Sequence, residues 1–274
     1  MFKLLTTFKM VYETKSFSHA ADLLFIAQPT VSAQIKQLEN ELQTTLFVRN
    51  GRTQLLVTPQ AEELYRQASK ILDEWTTVKQ NLPGSQRLNC RIGASHTFAC
   101  YFLPELLPQL YQHNQQVNFS VTMLNSLAVF EALQQHKIDL GFIEKPLSSN
   151  SIHRQTLFND QLVLVNGEQP EQPWLVREAN SGVYHYTARY FAEHDIQGPQ
   201  LTIANNQIIV QLLHQNFGKA IISESAAQNL NYQTLGSPYQ RQFYLISRQV
   251  DKPDQYQSLT KQITAWARQH KTVV

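Results

Sequence analysis

The stretch SFSHAADLLFIAQPTVSAQIKQLENEL, Ser16 to Leu42, constrains this chain more than any other. It holds two helical patterns so close together that they must pack as a pair. Before it, Leu4, Leu5, Phe8, Val11 and Tyr12 keep helical spacing and form one apolar stripe. Ser16 to Ser18 read as turn and cap residues, with Ser18 placed to cap a helix over His19 to Leu24. Ala20 and Ala21 are small enough for close helix packing, and Ile26 and Ala27 fill the turn. Pro29 suits a first helical position, where a missing N–H costs nothing. Val31, Ile35, Leu38 and Leu42 recur at steps of four, three and four, so they face inward.

That arrangement is the plan of a helix-turn-helix, whose second helix places its N-terminal residues at base edges in the major groove. Gln28, Pro29, Thr30, Ser32, Gln34 and Lys36 stand around the front of that helix. Gln bonds adenine through two contacts, Ser bonds most bases, and Lys36 suits a phosphate. An ordinary packed helix pair with a solvated face explains the same pattern. The next segment, LFVRNGRTQLLVTP, adds weight to DNA binding. Leu46 to Val48 and Leu55 to Val57 read as strands around an Asn50-Gly51 turn flanked by Arg49 and Arg52. An arginine-tipped hairpin beside a helix-turn-helix is a wing, able to reach phosphates or a narrow minor groove.

A long helix follows, with Thr58 as cap, Pro59 in its first position, and Glu62 and Glu63 at the positive end of its dipole. Ala61, Leu64, Ala68, Ile71, Trp75, Val78 and Leu82 alternate steps of three and four, a coiled-coil-like seam. Pro83-Gly84-Ser85 stops it, after roughly 35 Å at about 1.5 Å per residue. The seam predicts a subunit contact through Leu64, Ala68, Ile71, Trp75 and Val78.

From Arg87 onward strands and helices alternate: Asn89 to Gly93, Phe102 to Tyr111, Asn118 to Met123, Ala128 to His136, and Asp139 to Glu144. That rhythm implies parallel strand–helix–strand units. It returns after Trp174, with helices near Thr187 to His194 and Ile208 to Gln215 and strands at Leu201 to Ala204 and Ala220 to Ser223. GFIEKP and GKAIISES end their strands alike, which points to two similar lobes.

Residues 1–58 resemble the winged helix-turn-helix of LysR-type transcriptional regulators. The Ala20-Ala21 pair, Gln28-Pro29, Val31-Ser32, Gln34-Ile35, Leu38-Glu39, Leu42, Leu46-Phe47 and Arg49 carry the likeness. Ala33 stands where many members have a longer polar or basic side chain. Residues 88–274 resemble the family's effector-binding domain, through RIGASHTFACYFLPELLPQL, FEALQQHKIDLGFIE, WLVREANSG and QLLHQNFGKAIIS. The resemblance implies an all-α-dominated winged helix-turn-helix over 1–58, a linker and dimerisation helix over 59–82, and an α/β effector domain over 88–274. That domain is expected to have two lobes, like periplasmic solute-binding proteins, with lobe I near 88–165 and 240–274 and lobe II near 166–239. Double-stranded promoter DNA, a small-molecule effector and a second copy of the chain are the implied partners. The seam implies a dimer, and the resemblance adds that family members often form tetramers.

Composition fits a globular chain: 274 residues, 42% hydrophobic, 16% charged, net charge +2. Charge alone does not announce nucleic acid, so the DNA reading rests on placement. No apolar run approaches the ~20 residues of a membrane helix. The first fifteen residues carry Lys3, Lys9, Glu13 and Lys15 and do not read as a secretory signal. Cys90 and Cys100 form neither a metal pair nor a disulfide framework, so a cytoplasmic setting is expected. HExxH, GxSxG, Walker and GxGxxG motifs are missing, and the histidines lack metal spacing, so neither a catalytic role nor a cofactor or metal is expected. The rival reading is a metabolite-converting enzyme with a DNA-binding appendage. A DNA-architectural protein would leave the two lobes without a job.

Ligands of open α/β sheets sit beyond the carboxyl ends of strands. In lobe I that rule picks Ser95, His96 and Thr97, then Asn125 and Ser126, then Glu144. In lobe II it picks Asn180 and Ser181, then Asn205 and Asn206. The resemblance points to hydroxyls at Ser95, Thr97, Ser126 and Ser181. These groups suit a small polar or anionic effector, with His96 adding a bond whose pH dependence would fall near about 6.5. Val183 and Tyr184 replace small hydroxyl and basic residues common there, which favours a partly apolar ligand.

Overall fold

Helix stops and caps set the N-terminal architecture. The computed structural model describes residues 1–50, 54–81, 88–248 and 254–269. They divide into two compact units, Met1–Gln86 and Arg87–Val274. The first unit packs α1 (Phe2–Thr14), α2 (Phe17–Leu24) and α3 (Gln28–Leu42), then the hairpin β1 (Phe47–Asn50) and β2 (Gln54–Val57), then α4 (Pro59–Asn81). Ser16, not Ser18, caps α2: the His19 N–H donates to Ser16 Oγ at 3.2 Å, because the helix begins at Phe17 and leaves Ser18 inside its first turn. Lys15, Phe25 and Gln43 end the three helices in the left-handed region, at φ of 51°, 53° and 50°. Phe8, Val11, Ala20, Val31, Ile35, Leu38 and Leu46 form the core beneath them.

Two side chains tie the hairpin to the helices. Glu39 of α3 accepts the N–H groups of Leu46 and Phe47 at 2.7 and 3.2 Å. Thr58 accepts the Ala61 N–H at 3.2 Å, capping α4, and its hydroxyl faces the Thr45 carbonyl at 2.9 Å. Thr58→Ala should therefore lower unfolding stability by about 1 kcal/mol, read as a lower urea midpoint at unchanged m-value. Asn50 pairs with Gln54 at the end of the ladder, and Gly51 and Arg52 of the expected turn lie outside the described residues.

The seam of α4 is divided. Ala61 and Ala68 are fully buried in their own unit's core, with Leu64 half-buried against it. This corrects the expectation that Ala68 faces another subunit: α1 packs on the first half of α4 and takes it inward. Tyr12 stacks on Tyr65 at 4.0 Å, and the Tyr65 hydroxyl donates to Glu13 at 2.6 Å. Ile71, Trp75 and Val78 stay 44%, 40% and 50% exposed, although Phe2 stacks on Trp75. Leu82 lies outside the described residues.

The second unit centres on one long strand. Its first half runs β3 (Leu88–Ser95), α5 (His96–Tyr101), α6 (Leu103–His113), β4 (Val117–Leu124), α7 (Ser126–Gln134), β5 (Leu140–Ile143) and β6 (Ile152–Val165). Then come β7 (Trp174–Val176), α8 (Tyr184–Glu193), β8 (Gln200–Thr202), α9 (Asn206–His214), β9 (Ala220–Ser223), β10 (Tyr232–Thr234), β11 (Gln240–Arg248) and α10 (Asp254–Gln269). The sheet order is β10-β6-β11-β5-β3-β4, with β9 also on β6. β3 pairs in parallel with β4 and β5, while β11 runs antiparallel between β5 and β6.

β6 belongs to both lobes. From Ile152 to Gln161 it pairs with β11, and from Leu162 to Val165 it pairs with β9 and β10. The changeover expected near Val165 thus falls inside the strand, beside the Gln240 return. Lobe I buries an aromatic cluster, with Phe98 stacked on Phe142 at 4.1 Å beside Phe158, Phe243 and Trp266. Lobe II buries Val163, Leu175, Ile209, Leu213 and Ile222.

Candidate functional site

The recognition face is built on α3. Val31, Ile35 and Leu38 are buried, so the helix presents Pro29, Ala33, Lys36 and Gln37 as exposed residues, with Gln28, Thr30 and Ser32 half-buried beside them. Gln28 Nε2 donates to Ser32 Oγ at 2.8 Å across one helical turn. Gln34 is not on this face. It is 8% exposed, and the Thr7 hydroxyl of α1 donates to its Oε1 at 2.5 Å, so it is an internal helix–helix tie rather than a DNA contact. Arg49 lies in β1 opposite Leu55, and Arg52 lies outside the described residues.

In the second unit, three strand ends of lobe I converge on a polar cleft facing lobe II. It is lined by Ser95, His96, Thr97, Asn125, Ser126 and Glu144 from lobe I, by Arg177 and Ser181 to Val183 from lobe II, and by Arg241 at the return strand. With its open mouth it comprises about 230 Å³. Seven of the positions expected from sequence therefore meet there: Ser95, His96, Thr97, Asn125, Ser126, Glu144 and Ser181. Asn180, Asn205 and Asn206 do not line it. Asn180 is exposed, Asn205 uses Oδ1 to cap α9 at the Gln207 and Ile208 N–H groups, and Asn206 is buried beside it.

The cleft is rich in charge, and its charges are matched. Asp160 and Arg241 are directly opposed on β6 and β11, with Arg241 Nε 2.7 Å from Asp160 Oδ2. Ser223 donates to the other Asp160 oxygen at 2.6 Å. Arg241 also donates to Thr97 Oγ1 at 3.2 Å and lies 3.9 Å from Glu144. Ser126 donates to Glu144 Oε2 at 2.6 Å. Arg177 is held by its neighbour Glu178 through two bonds of 2.8 and 2.9 Å. Burial pushes the Asp160 carboxyl up, against the pull of Arg241. Arg177 and Arg241 were not singled out from the sequence. The signal for Arg241 is present: Tyr239, Arg241 and Phe243 alternate inward, so a charge sits at a core position.

Gly182 of lobe II lies close against Glu144 of lobe I. A Cβ on Gly182 would meet Glu144 Oε2 at 2.9 Å and Glu144 Cβ at 3.0 Å, so any larger residue there would require the Glu144 side chain to shift. Two buried atoms facing this region, Ser95 Oγ and His96 Nδ1, have no hydrogen-bond partner among the described residues. Buried polar atoms without partners are uncommon and mark places where a ligand or water completes the set. Burial and then the Arg177 charge push the His96 imidazole below its ordinary value. It is therefore neutral above about 6.5, which moves the expected pH dependence to lower pH. The sign follows: this contribution to stability is present at neutral pH and is lost as pH falls from about 6.5 through the lowered folded value.

Residues 2–62 match the model for the bacterial regulatory helix-turn-helix protein, lysR family. Residues 84–268 match the LysR substrate binding domain. The chain belongs to the LysR family. It is similar to the HTH-type transcriptional regulator CysL of Bacillus subtilis (strain 168), 27% identical over 242 residues, covering 82% of this chain and 81% of that protein. It is also similar to the HTH-type transcriptional activator CmpR of Synechocystis, 29% identical over 265 residues, covering 87% and 86%. A full-length OxyR variant from Pseudomonas aeruginosa shares the fold, with a TM-score of 0.72, 19% identity, and coverage of 96% and 94%. This LysR protein is accordingly a transcriptional regulator that binds DNA through its helix-turn-helix and carries the family's effector-binding domain. Its relatives are regulators, and the enzyme reading gives way on that ground. No helix among the described residues is long and apolar enough to cross a membrane.

Proposed function

We propose that this LysR regulator acts in the cytoplasm and senses a small polar effector between its lobes, at Ser95, His96, Ser126, Glu144, Arg177 and Ser181. The unpartnered Ser95 hydroxyl, 2% exposed and at the cleft, is the observation that carries this reading. An anionic effector must compete with Glu178 for Arg177 and approach the Glu144 carboxylate, so hydroxyl or amide groups account for more of the recognition than a bare carboxylate. Residues 1–58 dock on DNA, 59–82 carry the subunit contact, and 88–274 receive the effector. Lys36, Arg49 and Arg52 act on phosphates.

Thermal shift of the full chain against small carboxylates, amino acids and phosphorylated sugars tests the site. A compound present at a hundred times its Kd should add about 2.7 kcal/mol of stability. Ser95→Ala and Ser126→Ala should each weaken binding of that compound by roughly 0.5–3 kcal/mol while the unliganded chain stays folded. Undiminished binding in both variants places the effector elsewhere. The affinity should hold steady between pH 7 and 8, since neutral His96 does not titrate there.

A further inference from the structure

We propose that Gln28 and Ser32 read a single base pair as one unit, with Gln28 touching the base and Ser32 acting as its positioning residue. The proposal rests on the reading of α3 as the base-contacting helix. Taken singly, each residue is a plausible base contact, and the sequence gives no reason to couple them. The structure supplies one. Gln28 opens α3, Ser32 lies one turn later on the same face, and Gln28 Nε2 donates to Ser32 Oγ at 2.8 Å. Residues four apart on a helix are neighbours, so the bond needs no distortion of the backbone.

The chemistry of the amide follows. A glutamine amide offers two N–H donors and one carbonyl acceptor. With one N–H held by Ser32, one donor and one acceptor remain. That is the pair that adenine requires in the major groove, where N7 accepts and N6–H donates. The bond also limits rotation of a long, flexible side chain before DNA arrives, so less freedom is lost on docking. Polarisation along the hydrogen-bonded pair strengthens the remaining contacts. Neighbouring side chains offer Gln28 little competition for this role. Ala33 has no polar group, and Gln34 is turned into the core against Thr7.

The test is selection of duplexes from a pool with a randomised 20-base-pair segment. It uses the full chain as wild type, Gln28→Ala, Ser32→Ala, the double variant and Ser32→Thr. Wild type should enrich an adenine–thymine pair at one position of each half-site. Gln28→Ala and Ser32→Ala should flatten preference at that same position, by about tenfold for a good bidentate contact. The double variant should be no flatter than Gln28→Ala alone, and Ser32→Thr, which keeps the oxygen, should restore the preference. A merely structural Ser32 would change melting temperature without moving base preference, so each variant is also melted. Flattening at two different positions, or a double variant equal to the product of the singles, overturns the coupling while leaving α3 as the reading helix. Base preference unchanged in every variant overturns the proposal and the α3 reading together.

Discussion

Arg241→Met is expected to cost the effector unit about 3–5 kcal/mol of unfolding stability, because it strands a buried carboxylate. Asp160 and Arg241 are each 4% exposed and directly opposed on neighbouring strands. Methionine roughly fills the same space, so the loss reports charge and hydrogen bonding rather than a cavity. Arg241 also bonds Thr97 and approaches Glu144, so a single substitution loosens the lobe I wall of the cleft as well. Urea unfolding of the full chain would measure it. Adding Asp160→Leu to Arg241→Met should recover part of the loss, since the stranded Asp160 charge is removed while Glu144 and the Thr97 and Ser223 hydroxyls still lose a partner. The single variant should also change its pH response. Without Arg241 the Asp160 carboxyl rises further above its unfolded value, so the folded state binds the proton more tightly. Stability is then greatest in acid and falls as pH rises through the folded value. A variant that unfolds no more easily than wild type at neutral pH would show the pair to be dispensable.

Ile71→Asp is expected to separate the subunits and reduce operator affinity by roughly 10²–10⁴-fold, the advantage that linked half-sites confer. Ile71 is 44% exposed within its own chain, so aspartate there leaves the fold of the unit intact. The charge acts only when a second chain covers it, and burying an unpaired carboxylate is expensive. Sedimentation of the purified variant checks the first half of the expectation and titration of promoter DNA the second. An unchanged oligomer with normal DNA binding would place the subunit contact away from the exposed Ile71, Trp75 and Val78. Ala68 makes a useful contrast. It is fully buried against its own domain, so Ala68→Asp should lower the melting temperature of the unit itself rather than its oligomeric state.

The helices of the first unit could be read from the sequence because local signals agree there: apolar period, proline at the start of α3, and a threonine cap on α4. Gln34 escaped that reading. Its spacing of three from Val31 and four from Leu38 puts it on the inward face, but a polar side chain reads as outward until Thr7 is seen across the interface. The seam residue Ala68 escaped for the opposite reason, since an apolar stripe announces burial without naming what covers it. In the second unit the strand ends were legible, and with them most of the cleft. The long strand β6 was not. IHRQTLFNDQ carries few apolar residues, and a register shift opposite its middle breaks the two-residue alternation. Arg177 and Arg241 depend on contacts across the chain, between segments that the sequence does not place side by side.

The path of β6 and β11 sets an order of events during synthesis. Lobe II is formed by contiguous chain between Leu162 and Tyr239, and its strands β9 and β10 cover only the far end of β6. The remainder of β6, with Leu157 and Phe158, waits for β11, and so does the open edge of β5. At roughly 5–20 residues per second, the ribosome needs several seconds to bridge that interval. Throughout it the nascent chain displays two unpaired strand edges and an apolar surface that α10 has yet to cover. The part of lobe I made first is thus completed last. A premature stop before Gln240 would leave an open, adhesive sheet rather than a shorter regulator.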